Sequence, residues 1–548
     1  MSARRTLAAA AVATVALTMS ACGSDSSSSS SGASGSAVTK SGGAITIRGC
    51  TPENPLIGSN TTEVCGGNVI DAVTAKLVRY NSDTAAPEND IAESIETSDN
   101  KLFTVKLKSG YKFSDGTEVK AKNFVDAWNF AAYGPNGQQN GYFFEPVAGF
   151  ADTQCTDDEC KMAPKSKTMS GLKVVDDHTF TIATTEAVSN LPVRLGYSAF
   201  VPQPDSFLAN PTDAAFGKTP IGAGPFKITS NSATEIVLEK NENYSGKFGA
   251  NVDKVTYRIY NDANAAWTDL VADNIDFTDI VPSDQLANDL WKTTIDADRT
   301  AVRDSGVMQV LTFSPADEQL AKNPDLRKAI SRAIDRDTIT KQIFNGTRKS
   351  ATSWVAPVVD GYKDGVCGDS CTYDKAAAKS AYDAAGGYKG TFLISVNGDG
   401  GHKLWADAVC NGLKTNLGMD CRVNTTPDFK TLRTQIKAGE LKGSFRGGWQ
   451  MDYPSIENFL TPIYAKGAAS NDAHYDNPAF DAKLKEAAAA STTEESNKLY
   501  QEAEAMLAET LPTAPLWSAA TPVAWSTKVT NVKVTPFGTL DLSAISTK

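Results

Sequence analysis

Leu107-Lys108-Ser109-Gly110-Tyr111-Lys112-Phe113-Ser114-Asp115-Gly116-Thr117 follows directly on an alternating run in which Phe103, Val105 and Leu107 share one face. Period-two alternation predicts a half-buried strand over 101–108, and Asp115-Gly116 marks the turn behind it. A helix is predicted over 121–133, because Phe124, Ala127, Trp128 and Ala131 fall on one face at helical spacing. A strand, a turn and a helix in close succession put the chain in the mixed α/β class rather than among bundles or sandwiches.

Further along, Val255, Tyr257 and Ile259 repeat the alternation. Asn323 caps a predicted helix with Pro324 in its first turn, and Leu326, Ala329, Ile330, Ala333 and Ile334 give it one apolar side. Another helix begins at Thr492, which has capping-box spacing to Glu495, and runs through Leu499, Ala503 and Met506 to Pro512. No tandem repeat of fixed period occurs, which excludes a solenoid or propeller.

The formal net charge is −11, the wrong sign for a phosphate-binding surface, so nucleic acid is excluded as a partner. Cysteines other than Cys22 fall into local pairs: Cys50 with Cys65, Cys155 with Cys160, Cys367 with Cys371, and Cys410 with Cys421. Local, even-numbered cysteines point to four disulfides and an oxidising compartment. No CxxC spacing occurs and His178, His402 and His474 stand apart, so no metal ion and no cofactor is expected.

The first residues fit an export signal over 1–21: Arg4 and Arg5, an apolar stretch from Leu7 to Met19 too short to span a bilayer, then small residues. Leu17-Thr18-Met19-Ser20-Ala21-Cys22-Gly23 resembles the bacterial lipobox, in which the cysteine becomes the new terminus and carries lipid. The alternative is an ordinary secreted protein cut nearby. Residues 22–42 are rich in Ser and Gly and read as a tether that holds a soluble body just off the membrane. The remainder is long enough for about two to four domains.

Several motifs in order resemble the family 5 extracellular solute-binding proteins, the oligopeptide- and dipeptide-binding lipoprotein group of ABC importers. They are Asn54-Pro55-Leu56, Leu77-Val78-Arg79-Tyr80-Asn81, Ile91-Ala92-Glu93-Ser94, the opening stretch, Gly222-Ala223-Gly224-Pro225-Phe226, Leu238 to Tyr244, and Arg327 to Arg336. The resemblance implies a type II periplasmic-binding-protein clamshell (cluster C) with a subdomain inserted into its first lobe. Lobe I would comprise 43–66, 205–307 and 515–548, the inserted subdomain 67–204, and lobe II 308–514. Hinge crossings would lie near 308–313 and 515–519.

The same resemblance directs attention to Phe445-Arg446-Gly447-Gly448-Trp449-Gln450-Met451-Asp452-Tyr453-Pro454. It implies that Asp452 meets a peptide's α-ammonium and that Arg446 meets a carboxylate. Trp449 and Tyr453 offer flat faces to side chains or peptide planes, and Trp517 belongs to a segment near the family's pocket. Without the resemblance, the stretch reads as a surface turn whose Trp and Tyr cover a core edge while Asp452 is solvated. A carboxylate sealed in a closed cleft is costly unless a cation meets it, which favours guests with an amine end.

The implied partners are a peptide, an ABC permease with a cytoplasmic ATPase, and the membrane through the lipid on Cys22. The body is expected to be a monomer outside the cytoplasm. A different solute is the first competing reading: an oligosaccharide stacking on Trp449, Trp405 and Tyr453, an opine, or a metal chelate. A lipid-anchored envelope hydrolase is the second, but no nucleophile and base are found. Ser170-Gly171-Leu172-Lys173 and Ser98-Asp99-Asn100 occur in the wrong order for penicillin-binding enzymes, and no K-T-G follows. The chain is therefore read as a binding protein and not an enzyme.

Overall fold

The computed structural model describes residues 42–157, 160–260, 262–398, 401–427, 429–468 and 470–548. The export signal, Cys22 and almost all of the tether lie outside these residues.

The alternating run forms the strand Leu102–Leu107, with Phe103, Val105 and Leu107 buried and Leu102 half exposed. It sits in a four-stranded antiparallel sheet ordered Ala92–Glu96, Leu102–Leu107, Thr179–Ala183, Leu172–Asp176. The helix Ala121–Ala132 covers one face of that sheet. Phe124 stacks on Phe180 at 5.8 Å, Trp128 meets the same ring edge-on at 5.5 Å, and the Trp128 indole donates to the Phe200 carbonyl. Burying these rings supplies the driving force, while the indole's one donor stays satisfied.

A second sheet is mixed, with parallel and antiparallel pairs. Its order is Cys421–Thr426, Phe392–Asn397, Ser444–Gln450, Thr300–Phe313, Thr513–Trp525, Phe277–Thr278, Ala44–Gly49, Lys254–Ile259, Glu235–Lys240, Phe226–Asn231. Thr300–Phe313 and Thr513–Trp525 pair antiparallel along most of their length, with a register shift between Asp304 and Met308. Such a shift bends and twists a strand pair. One large core packs around residues between Met308 and Trp517, a second around the four-stranded sheet, and a third around Ala44–Gly49 and Lys254–Ile259. The two long strands are thus a double backbone bridge between separately packed cores.

The helix Pro324–Arg332 carries the expected cap, the Asn323 side chain accepting from the Leu326 N–H at 3.0 Å. It stops before Ala333 and Ile334, which stay in the same core. Asp335 then caps a second helix, Arg336–Phe344. The helix Thr493–Thr510 is capped by Thr492 and ends at Leu511 in a left-handed conformation. The Arg327 guanidinium donates to the Thr510 and Leu511 carbonyls at 2.9 and 3.0 Å, satisfying acceptors that a helix end leaves open. All four expected disulfides are formed. Among the described residues no helix is long and apolar enough to cross a membrane.

Candidate functional site

Ser444–Gln450 is an interior strand, parallel to Phe392–Asn397 and antiparallel to Thr300–Phe313. Ladder pairing ends at Gln450, and one further bond to the same partner strand follows, the Gly306 carbonyl accepting from the Met451 N–H at 2.8 Å. A Cβ at Gly306 would stand 2.3 Å from Met451 Sδ, so a larger residue there would displace the Met451 side chain. Immediately beyond it, Asp452 enters a cavity of about 400 Å³.

Asn458, fully buried in the turn Ile456–Phe459, holds Asp452 in place. Its amide donates to Asp452 Oδ2 at 2.9 Å, and its carbonyl oxygen accepts from the Asp452 N–H at 2.9 Å and from the Trp449 indole at 3.0 Å. The Tyr197 hydroxyl supplies a further hydrogen bond to the carboxylate. Burial outweighs these hydrogen bonds and, with the nearby Glu457 charge, pushes the Asp452 carboxyl up to about 7. No cation pairs with Asp452 among the described residues.

The rest of the wall comes from elsewhere in the chain: Arg48, Lys76, Arg79, Tyr80, Tyr197, Phe226, Phe248, Tyr257 and the segment from Thr535 to Ser543. Tyr80 stacks on Phe537 at 5.2 Å and donates to the Val193 carbonyl at 2.7 Å. The Gln450 amide donates to the Phe537 carbonyl at 3.0 Å, closing one side. The cavity thus combines polar walls with a carboxylate that has no counter-charge among the described residues.

Of the five residues expected at a ligand, Asp452 alone lines the cavity. The Arg446 guanidinium donates to Asn397 Oδ1 at 3.0 Å and covers the Phe429 ring at 5.0 Å, occupied away from the cavity. Trp449 lies half-buried against the large core, its indole spent on Asn458. Tyr453 is 2% exposed and packs into the core of the four-stranded sheet, where its hydroxyl donates to Glu457 Oε2 at 2.7 Å. Trp517 is equally buried, between Phe344 and Trp405. Its strand pairs it with Gln309, and its ring fills the large core rather than lining the cavity. Trp405 is buried there too, so the rings considered for sugar stacking do not meet in the cavity.

Asn458, Tyr197, Arg48 and Arg79 are the site residues that sequence reasoning passed over. Arg79 and Tyr80 stood inside a recognised motif, Leu77 to Asn81, but nothing in that stretch marked them as a wall. The Arg446→Gln variant is expected to keep the affinity for a ligand of this cavity within about threefold of the parent, as read by titration calorimetry, because a group outside the cavity contributes little to binding.

A family model described as bacterial extracellular solute-binding proteins, family 5 Middle, matches residues 86–471. The oligopeptide-binding protein OppA of Bacillus subtilis strain 168 is 25% identical over 463 residues, covering 82% of this chain and 83% of that protein. The periplasmic oligopeptide-binding protein OppA of Salmonella typhimurium strain LT2 is 26% identical over 442 residues, 79% of each. Among solved structures, the murein tripeptide binding protein MppA of Escherichia coli superposes with a TM-score of 0.79 at 20% identity, over 93% of this chain and 99% of that one.

Proposed function

Because the chain belongs to the bacterial extracellular solute-binding proteins of family 5, we propose that it captures peptides by their α-ammonium end at Asp452 and delivers them to an ABC permease. The fold is the family's mixed α/β, two-lobed clamshell, and its members bind solutes outside the cytoplasm. The relatives named above are peptide binders, which supports a peptide as the guest. In this reading lobe I is 43–66, 205–307 and 515–548, with 67–204 inserted, and lobe II is 308–514. The separate cores and the two bridging strands support that division. Cys22 carries the lipid anchor, the body acts as a monomer, and the ATPase that drives import belongs to the permease.

The observation that carries the proposal is the cavity-facing carboxylate of Asp452, oriented by Asn458 and Tyr197 and without a cation. An ionised carboxylate taken out of water is expensive, and an arriving ammonium removes that cost through a charge-assisted bond. A guest that makes this contact, and others available only when the lobes meet, shifts the population toward the closed form.

Native mass spectrometry of the purified protein with a mixed pool of peptides and oligosaccharides tests the reading. Retained masses should be peptides with free amines, and retention of sugars alone would overturn it. A pH dependence follows from the same carboxylate. Its proton must leave before an ammonium binds, so affinity for free-amine peptides should fall about tenfold for each pH unit below 7. Titration calorimetry in buffers of differing ionisation heat should show proton release on binding at pH 6.

A further inference from the structure

We infer that the cavity selects guests of net positive charge and leaves a peptide's C-terminal carboxylate without a cationic partner. This rests on the peptide reading and concerns the other end of the guest. Three cations line the cavity, and each is already committed. Arg48 Nη1 lies 2.8 Å from Asp279 Oδ1, Lys76 Nζ lies 2.6 Å from Asp71 Oδ1, and Arg79 Nε lies 3.1 Å from Asp90 Oδ2. Arg79 is fixed further by the Thr74 carbonyl and lies over the Phe248 ring at 5.3 Å.

Against them stand Glu63, Asp452 and Asp541, which line the same cavity and form no ion pair among the described residues. Their partners are neutral: Glu63 accepts from the Gly66 N–H, and Asp541 from the Ser543 N–H and hydroxyl. An α-ammonium at Asp452 balances one of the three. A guest carboxylate then enters a field that is still negative, whereas a second positive group, from a Lys or Arg side chain, relieves it.

The test is titration calorimetry on the full chain with Ala-Lys-Ala amide, Ala-Lys-Ala, Ala-Ala-Ala and Ala-Glu-Ala. The expected order of affinity is the order given, with steps of up to roughly tenfold per unit charge that shrink as salt is added. The Asp541→Asn variant should narrow the gap between the amide and the free acid. A free acid that binds more tightly than its amide, or equal affinity for Ala-Glu-Ala and Ala-Lys-Ala, overturns the inference while leaving amine capture intact. Absence of binding by all four probes overturns both.

Discussion

Asparagine at position 452 is expected to weaken binding of free-amine tripeptides by about 2–5 kcal/mol, roughly thirtyfold to several-thousandfold, while N-acetylated versions change little. Asparagine keeps the shape that Asn458 and Tyr197 surround, so the loss isolates charge from packing. The unliganded protein should respond in the opposite sense. The Asp452 carboxyl sits at about 7 in the folded protein, raised chiefly by burial, and near the ordinary aspartate value when unfolded. Above pH 7 the folded state therefore holds an ionised, partly buried carboxylate at a cost, and that cost is relieved as pH falls from 7 toward 4. The Asp452→Asn variant should melt above the parent at pH 8, and the difference should close by pH 4. Glu504, also raised by burial to about 7, is common to both proteins and cancels in the comparison.

The second large effect concerns the contact between two of the cores. Arg194, from the helix Leu191–Arg194, lies 3.3 Å from Glu457, whose side chain is 2% exposed in the turn Ile456–Phe459. Glu457 also accepts from the Tyr453 hydroxyl and from the Asn190 amide, and the Arg194 guanidinium lies over the Tyr453 ring at 5.8 Å. Arg194→Met leaves the carboxylate buried without its cation and is expected to cost about 3–5 kcal/mol in urea denaturation. Adding Glu457→Gln to Arg194→Met should recover most of that loss, because the amide leaves no stranded charge and its oxygen still accepts from the Tyr453 hydroxyl and the Asn190 amide. A double variant as weak as Arg194→Met would show that the ion pair is not what stabilises this junction.

Local structure was legible where one segment carries its own signal. Phe103, Val105 and Leu107 alternate, Phe124 and Trp128 share a helical face, and Asn323 and Thr492 announce their helices, because these patterns need only neighbours in the chain. Disulfides joined cysteines close in sequence and were legible for the same reason. Family motifs led to Asp452, but one segment's motif does not tell which of its side chains face a guest. The strand ends at Gln450, so Arg446 and Asp452 part company, and a buried ring such as Tyr453 or Trp517 looks the same in sequence whether it lines a cavity or fills a core. Arg48, Arg79, Tyr197 and Asp541 come together only through long-range packing of the sheets. Asn458 had no signal beyond a short capped turn, yet it orients the carboxylate at the centre of the account.

The most direct measurement is a crystal structure of the protein with an unblocked tripeptide bound. The account expects the peptide's ammonium nitrogen about 3 Å from an Asp452 carboxylate oxygen, inside the cavity that Tyr197 and Arg79 help to wall. A peptide seated elsewhere, or one that turns its carboxyl end toward Asp452, would contradict it.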